Sequence, residues 1–499
     1  MSLQRADGVD VIANARLTGG DRLDPFGTEP VDVHLDGGRI ADIAPARALP
    51  RRGAVLDADG SWVISGLWDH HVHTVQWALV AQRMPVGAAA TAAEAATIMS
   101  TAPLLADGRR VGTGFRDALW PDTPSLAVLD AATGEVPTYL ISADVHCVWL
   151  NSAALRREGF PPDDTGLLRE APAFEISRRL NAVDPVAGDA LVEHALREAA
   201  ARGIVGVVDF DMAWNAEAWA RRLDAGFDAT RVSFAVYPEL LDRAIAEGLR
   251  TGDALDAAGR VRMGSLKVIT DGSLGTRTAA CSHPYPGDPH NRGVLTVPPH
   301  ELVDLLMRAT GAGLACAVHA IGDLANTHAL DAFAETGAYG TIEHAQLVAH
   351  ADIARFARLG VAASVQPEHA LDDRDLTDTI WAGQTALPYP LRSMADAGVN
   401  LLFGSDAPVA PLDPWAAMAA AVLRTRDDLP AWRPDQAVSP ATALAASTAG
   451  GSDAGSALDV GDIADLALVD RDPLTAGRTL GATQTRATLI EGVLTHVAH

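Results

Sequence analysis

From residue 203 onward the chain repeats one pattern, a short apolar run followed by a stretch with helical spacing of its apolar residues. The runs cover residues 203–210, 231–237, 264–270, 314–320, 340–346, 361–367 and 400–404. An earlier run, Trp62-Val63-Ile64, leads into Ser65-Gly66-Leu67-Trp68-Asp69-His70-His71-Val72-His73 and supplies an eighth. Strands that read as continuous apolar runs are buried on both faces, and their alternation with helices marks a parallel sheet with helical covers. Eight βα units predict a closed (β/α)8 TIM-like barrel, whose active site lies at the C-terminal ends of its strands.

Both chain ends have a different texture. Residues 9–15, 30–35, 39–43, 54–57 and 61–64 are short β-like segments separated by Gly and Asp turns, and residues 464–469 and 487–494 resemble them. The predicted domains are a β-sandwich built from residues 1–66 and 456–499, a barrel from 67–78 and 172–455, and an inserted subdomain at 79–171. Within the insertion, residues 113–122 read as an exposed aromatic loop. A net charge of −25 over 499 residues, with no basic stripe, argues against nucleic acid and anionic membrane as partners. The first twenty residues lack a basic segment followed by an apolar one, and no apolar run is long enough to span a bilayer, so a cytoplasmic protein is expected. Cys147, Cys281 and Cys316 are isolated and read as small buried hydrophobes.

The polar residues inside the apolar runs carry the chemistry. If the first strand continues into its motif, Asp69, His71 and His73 share a face and His70 turns away. Lys267 is the only lysine in the chain, whereas every other basic side chain apart from His is Arg. Arg stays charged and cannot react, but a buried amine can, so Lys267 is expected to form either a Schiff base or a carboxylated metal ligand. It sits in the fourth strand, with His319 near the end of the fifth, His344 near the end of the sixth and Asp406 just after the eighth. Four His, one Lys and one Asp at one mouth suit two divalent ions, with zinc the first candidate. Water between two cations is acidified enough to supply a hydroxide nucleophile, and Asp406 can carry its proton to a leaving group.

These residues lie in longer motifs: Asp144-Val145-His146 with Asn151-Ser152-Ala153-Ala154-Leu155, KVITDGSLGTRTA from Lys267, HAIGD from His319, EHAQ from Glu343, SVQP from Ser364 and GSDAPV from Gly404. Together with Gly66–His73 they resemble the metal-dependent amidohydrolase superfamily, in its YtcJ-like (amidohydrolase type 3) branch. The resemblance spans nearly the full length, with Ser65 standing where many relatives have Pro. It implies His71, His73 and Asp406 on one metal, His319 and His344 on the other, and Lys267 bridging them once carboxylated by carbon dioxide. It also implies hydrolysis of a C–N bond in an N-acyl or N-formyl small molecule, and a homodimer as the common assembly. An ester or phosphoester hydrolase, a non-catalytic metal-containing binding protein and a Schiff-base lyase are the competing readings. His146, Asn151 and Arg277 are the candidate substrate contacts. Asp323 reads as a helix N-cap, and Glu343, adjacent to His344, is expected to point to the opposite face of its strand and to serve in a supporting or structural role, not as a ligand.

Overall fold

The apolar runs fold as eight parallel strands: β1 (Leu67–Val72), β2 (Ile204–Asp209), β3 (Arg231–Val236), β4 (Val261–Ile269), β5 (Ala315–Ala320), β6 (Gly340–His344), β7 (Ala362–Val365) and β8 (Leu401–Phe403). This computed structural model describes residues 4, 6–18, 29–117, 120–142, 147–169, 171–181, 184–426 and 429–498. Each barrel strand pairs in parallel with the next, from β1 through β8. The ring closes just beyond β8, where Val72 bridges Ala407 in parallel and the Asp406 N–H donates to His71 O at 2.7 Å.

Register decides which side chains share the interior. Ile269 on β4 lies level with His319 on β5, and His319 lies level with Glu343 on β6. Lys267 lies two residues before Ile269 and level with Ala317, so Lys267, His319 and Glu343 all emerge on the same side. Gly264 allows β3 and β4 this approach, since a Cβ there would stand 2.6 Å from Ser233 Oγ and 2.9 Å from Phe234 O.

The two chain ends build the second sheet system. Its strand order is Val493–Val497, Thr485–Ile490, Leu466–Val469, Trp62–Ser65, Val11–Leu17, Val31–Asp36 and Arg39–Pro45, with Val55–Asp57 also on Val11–Leu17. Ile12, Val33 and Ile40 from one end meet Leu466, Leu468 and Leu489 from the other in one buried core. The Thr488 hydroxyl donates to Ala200 O at 2.6 Å, and Arg231 at the start of β3 pairs with Asp465. Sandwich and barrel therefore form one compact unit, residues 1–74 and 193–499.

Residues 75–192 form the other compact unit. Its sheet runs Leu167–Arg169, Cys147–Leu150, Thr138–Ser142, Arg110–Phe115, Met84–Pro85. The unit extends past residue 171 because the helix Ala171–Asn181 lays Ile176 and Leu180 on Tyr139, Ile141 and Val148 of that sheet. Residues 113–122 are not an exposed loop throughout. Phe115 ends a buried strand and stacks on Trp120 at 5.5 Å, and Trp120 packs edge-on against Trp149. Among the described residues, no helix is long and apolar enough to cross a membrane.

Candidate metal centre

At the C-terminal mouth of the barrel, five strands deliver nitrogen and oxygen donors to one place. His71 on β1 and His73 just beyond its end direct their Nε2 atoms to within 3.5 and 3.4 Å of Asp406 Oδ1. The His344 ring centroid stands 4.9 Å from that of His71 and 4.5 Å from that of His319. One ligand atom each from His71, His344 and Asp406 lies within 4.8 Å of the other two. Lys267, 2% exposed, enters from β4. Its Nζ has no hydrogen-bond partner among the described residues and stands 4.5 Å from the Phe210 ring centroid.

The backbone around the site is tightly specified. Asp69 Oδ1 accepts from His71 N at 3.1 Å and from Ser405 N at 2.9 Å, which ties β1 to the turn after β8. Burial pushes the Asp69 carboxyl up to about 6 against these hydrogen bonds. A Cβ at Gly404 would lie 2.7 Å from His71 N, so this turn closes on the metal-facing strand only with glycine there. His70 faces away from the donors, with Nδ1 at 3.0 Å from Phe403 O.

Hydrogen bonds set which nitrogen each imidazole presents. His71 Nδ1 donates to Glu343 Oε2 at 2.7 Å and His344 Nδ1 donates to Gln366 Oε1 at 2.8 Å, leaving both Nε2 atoms as ligands. His319 turns its Nε2 towards Asp271 Oδ1 at 3.4 Å, a close approach without hydrogen-bond geometry. Asp271 is itself fixed by the N–H groups of Ala280, Ile321 and Gly322. His73 Nδ1 has no such partner.

Electrostatics match a cation site. Burial and the nearby Lys267 push His71 down to about 4, and burial with His319 and His71 pushes His344 well below the ordinary imidazole range, so both imidazoles are neutral and able to ligate. Burial also lowers the Lys267 amine against the attraction of Glu343 and Asp406. Burial raises the Asp406 carboxyl, but His71, His73 and His344 outweigh it and hold the group well below the ordinary carboxylate range. A buried amine without a partner, neutral imidazoles and an ionised carboxylate form a donor set that fits divalent metal.

Three sequence expectations are corrected here. Glu343 does not face away from His344. The backbone turns left-handed at His344 (φ 73°), breaking strand alternation, so both neighbouring side chains address His71. Asp323 is not an N-cap. Gly322 takes that position, while Asp323 accepts from Ser282 N at 2.9 Å. Asn151, fully buried, is not a substrate contact. Its Oδ1 accepts from Thr138 N and Ala154 N, and its Nδ2 donates to Thr133 Oγ1, Gly134 O and Val136 O, so it caps the helix Ser152–Glu158 with no capacity left over. His146 lies outside the described residues. Arg277 is exposed on the loop after β4, at φ 57°.

Comparisons agree with this geometry. The sequence pattern of the Amidohydrolase family matches residues 54–496. An N-substituted formamide deformylase of Arthrobacter pascens is 27% identical over 522 aligned residues, 93% of this chain and 94% of that protein. The Bacillus subtilis amidohydrolase YtcJ is 27% identical over 343, covering 63% of this chain and 64% of its own. The crystal structure of a metal-dependent hydrolase from Pyrococcus furiosus superposes with a TM-score of 0.78 at 25% identity, over 93% of this chain and 99% of that one. The chain belongs to the amidohydrolase family, in its YtcJ-like branch.

Proposed function

We propose that this chain is a binuclear metal-dependent hydrolase that cleaves the C–N bond of an N-acyl or N-formyl small molecule. The observation that carries this reading is the convergence of His71 Nε2, His73 Nε2 and Asp406 Oδ1 beside the unpartnered Lys267 amine and the His319–His344 pair. His71, His73 and Asp406 would hold one ion and His319 and His344 the other. Lys267, were its neutral nitrogen to bond to carbon dioxide and release a proton to solvent, would supply carbamate oxygens as further ligands. When bound, such ions polarise a carbonyl and lower the pKa of water to about 7.

The remaining work falls to the chain. Asp406 has one oxygen facing His71 and His73, and its second oxygen is assigned to carry the proton from the attacking water to the departing nitrogen. Glu343 and Gln366 keep the His71 and His344 imidazoles in their ligating orientations, and Asp271 flanks His319. The side chains of His73, His319 and Asp406 are 17, 14 and 12% exposed, whereas that of His71 is 1%, so substrate would approach from the side of the first three. The formamide relative supports an N-formyl group as the first substrate class to test.

Elemental analysis of the purified protein should find two divalent ions per chain, and intact mass under bicarbonate should show one added carbon dioxide that Lys267→Arg abolishes. Release of formate or acid from N-acyl compounds should depend on the metal. A folded protein that takes up no metal on supplementation would overturn the proposal.

A further inference from the structure

Beyond His344, at the same mouth, two buried polar side chains have unused hydrogen-bonding atoms. Gln346 follows β6 and His369 lies in the first turn of the helix Pro367–Asp372 that follows β7. They are 5 and 6% exposed. Gln346 Nε2 stands 3.5 Å from His369 Nδ1, whereas Gln346 Oε1 and His369 Nε2 are shielded and have no partner among the described residues. The His369 ring lies nearly parallel to that of His344, with centroids 6.4 Å apart.

Three backbone groups of these residues are already committed. Gln346 O accepts from Tyr389 N at 2.5 Å, His369 N donates to Gln366 O at 3.1 Å, and His369 O accepts from Asp373 N at 2.9 Å. Glu368, the neighbour of His369, is taken up by Arg426 at 3.3 Å. On the side chains, one atom of each has no partner among the described residues. Buried polar atoms left unpaired are costly, and they rarely persist without a ligand or water to meet them.

The two free atoms form a matched pair whichever way the amide is oriented. If Gln346 donates to His369 Nδ1, the imidazole carries its proton on Nε2, giving a free donor there and a free acceptor at Gln346 Oε1. If the amide is reversed, Gln346 accepts from Nδ1–H, and the free atoms become an acceptor on His369 and a donor on Gln346. One donor and one acceptor remain in either case. That combination complements the edge of a carboxamide, which offers a carbonyl and an N–H. A carboxylate offers acceptors only and leaves one of the two atoms facing a like partner.

We propose that Gln346 and His369 form a carboxamide-reading subsite, so that the preferred substrate is an N-acyl compound bearing a second, uncharged amide close to the scissile bond. This rests on the amidohydrolase reading above for the identity of that bond. A site with such a buried pair rejects an analogue that leaves it unpaired more strongly than an apolar site rejects a missing methylene.

The test uses the full-length, metal-loaded protein with N-formylglycinamide and N-formylglycine, which differ only in carboxamide against carboxylate. Ligand-observed NMR reads binding, and any formate released, from the same sample. Wild type should bind the amide at least tenfold more tightly. Because the acidic protein disfavours any anion, the deciding comparison is with Gln346→Met and His369→Phe, each of which should bring the preference to within about twofold of what bulk charge alone leaves, with metal content and melting temperature unchanged. If His369→Phe does not fold, Gln346→Met alone decides. Equal affinities in wild type, no binding of either compound, or a preference that survives substitution would overturn the proposal, as expected if the two atoms hold only a water. A binding preference without formate release would sustain the subsite and instead overturn the N-formyl hydrolase reading.

Discussion

Glu343→Gln is the most informative single change at the metal centre. Glu343 Oε2 accepts from His71 Nδ1 at 2.7 Å, with both side chains 1% exposed, and its other oxygen accepts from the Thr341 hydroxyl. A hydrogen bond to a charged group contributes about 1.5–3 kcal/mol and a neutral one about 0.5–1.5 kcal/mol, so removing the charge alone costs about 1–1.5 kcal/mol, roughly tenfold in affinity for the ion held by His71. Thr341 can raise the cost. If its hydroxyl keeps the glutamine oxygen, the amide N–H₂ faces His71 Nδ1, and the imidazole must carry its proton on Nε2, the atom that points at Asp406. The expected loss is therefore about 10–100-fold for one of the two metal equivalents, the range found when a partner of a ligating His is removed. Competition with a chromophoric chelator, with circular dichroism to confirm folding, measures it. A folded variant that binds both equivalents as tightly as wild type would refute the argument that Glu343 sets the His71 tautomer.

Three further outcomes follow from named contacts. Lys267→Arg should bind one divalent ion instead of two and hydrolyse at background rate, because a guanidinium cannot take up carbon dioxide; retention of two ions by elemental analysis would contradict the bridging role. Asn151→Ala should lower stability by about 1–3 kcal/mol in denaturant titration, through loss of a helix cap and exposure of unpaired buried groups, and should leave KM unchanged. Asp32 is held at about 2 instead of 3.8: burial raises it, but the Arg51 side chain and the N–H groups of Arg47 and Asn14 lower it further. Its folded pKa is depressed, so Asp32 contributes about 2 kcal/mol that is fully present at neutral pH and is lost as pH falls from about 4 towards 2. Asp32→Asn should therefore destabilise the protein at pH 7 and much less near pH 2, and an equal effect at both would exclude this origin.

The barrel was legible because its strands are buried on both faces, and burial leaves a continuous apolar run that residue types alone reveal. The donors were legible for a related reason. His71, Lys267, His319 and His344 interrupt those runs with groups that burial would otherwise exclude. What escaped was whatever depends on the departure of the chain from regular geometry. Glu343 was sent to the wrong face because period-two alternation stops at His344. Gln346 sits in the link after β6 and His369 in the short helix after β7, and strand periodicity does not say which way either points. Asn151 carried a readable signal, since Asn followed by Ser-Ala-Ala-Leu is an ordinary helix start, but its place in a larger motif suggested a role at the substrate. The insertion boundary near 171 failed because an amphipathic helix does not declare in its sequence which of two adjacent sheets it will cover.

The same departures explain how so many donors fit one mouth. A parallel strand offers only every second residue to the barrel interior, so β6 in regular geometry could supply Glu343 or His344 but not both. His344 and Ala345 have φ of 73° and 41°, and Asp406 has φ of 57° directly after β8. Left-handed backbone at non-glycine residues costs about 1–2 kcal/mol each, and it persists only where the surroundings over-determine it. Those surroundings are visible. Gln366 holds His344, the Ala345 N–H donates to Glu343 O at 3.0 Å, and the Asp406 N–H is locked to His71 O. At His344 and Asp406 the strain turns a side chain towards the donors that an unstrained strand would have pointed elsewhere. The strain thus sits where β6 and β8 end, and it converts a fold that alternates its side chains into one that can turn the adjacent Glu343 and His344 towards the same donor cluster.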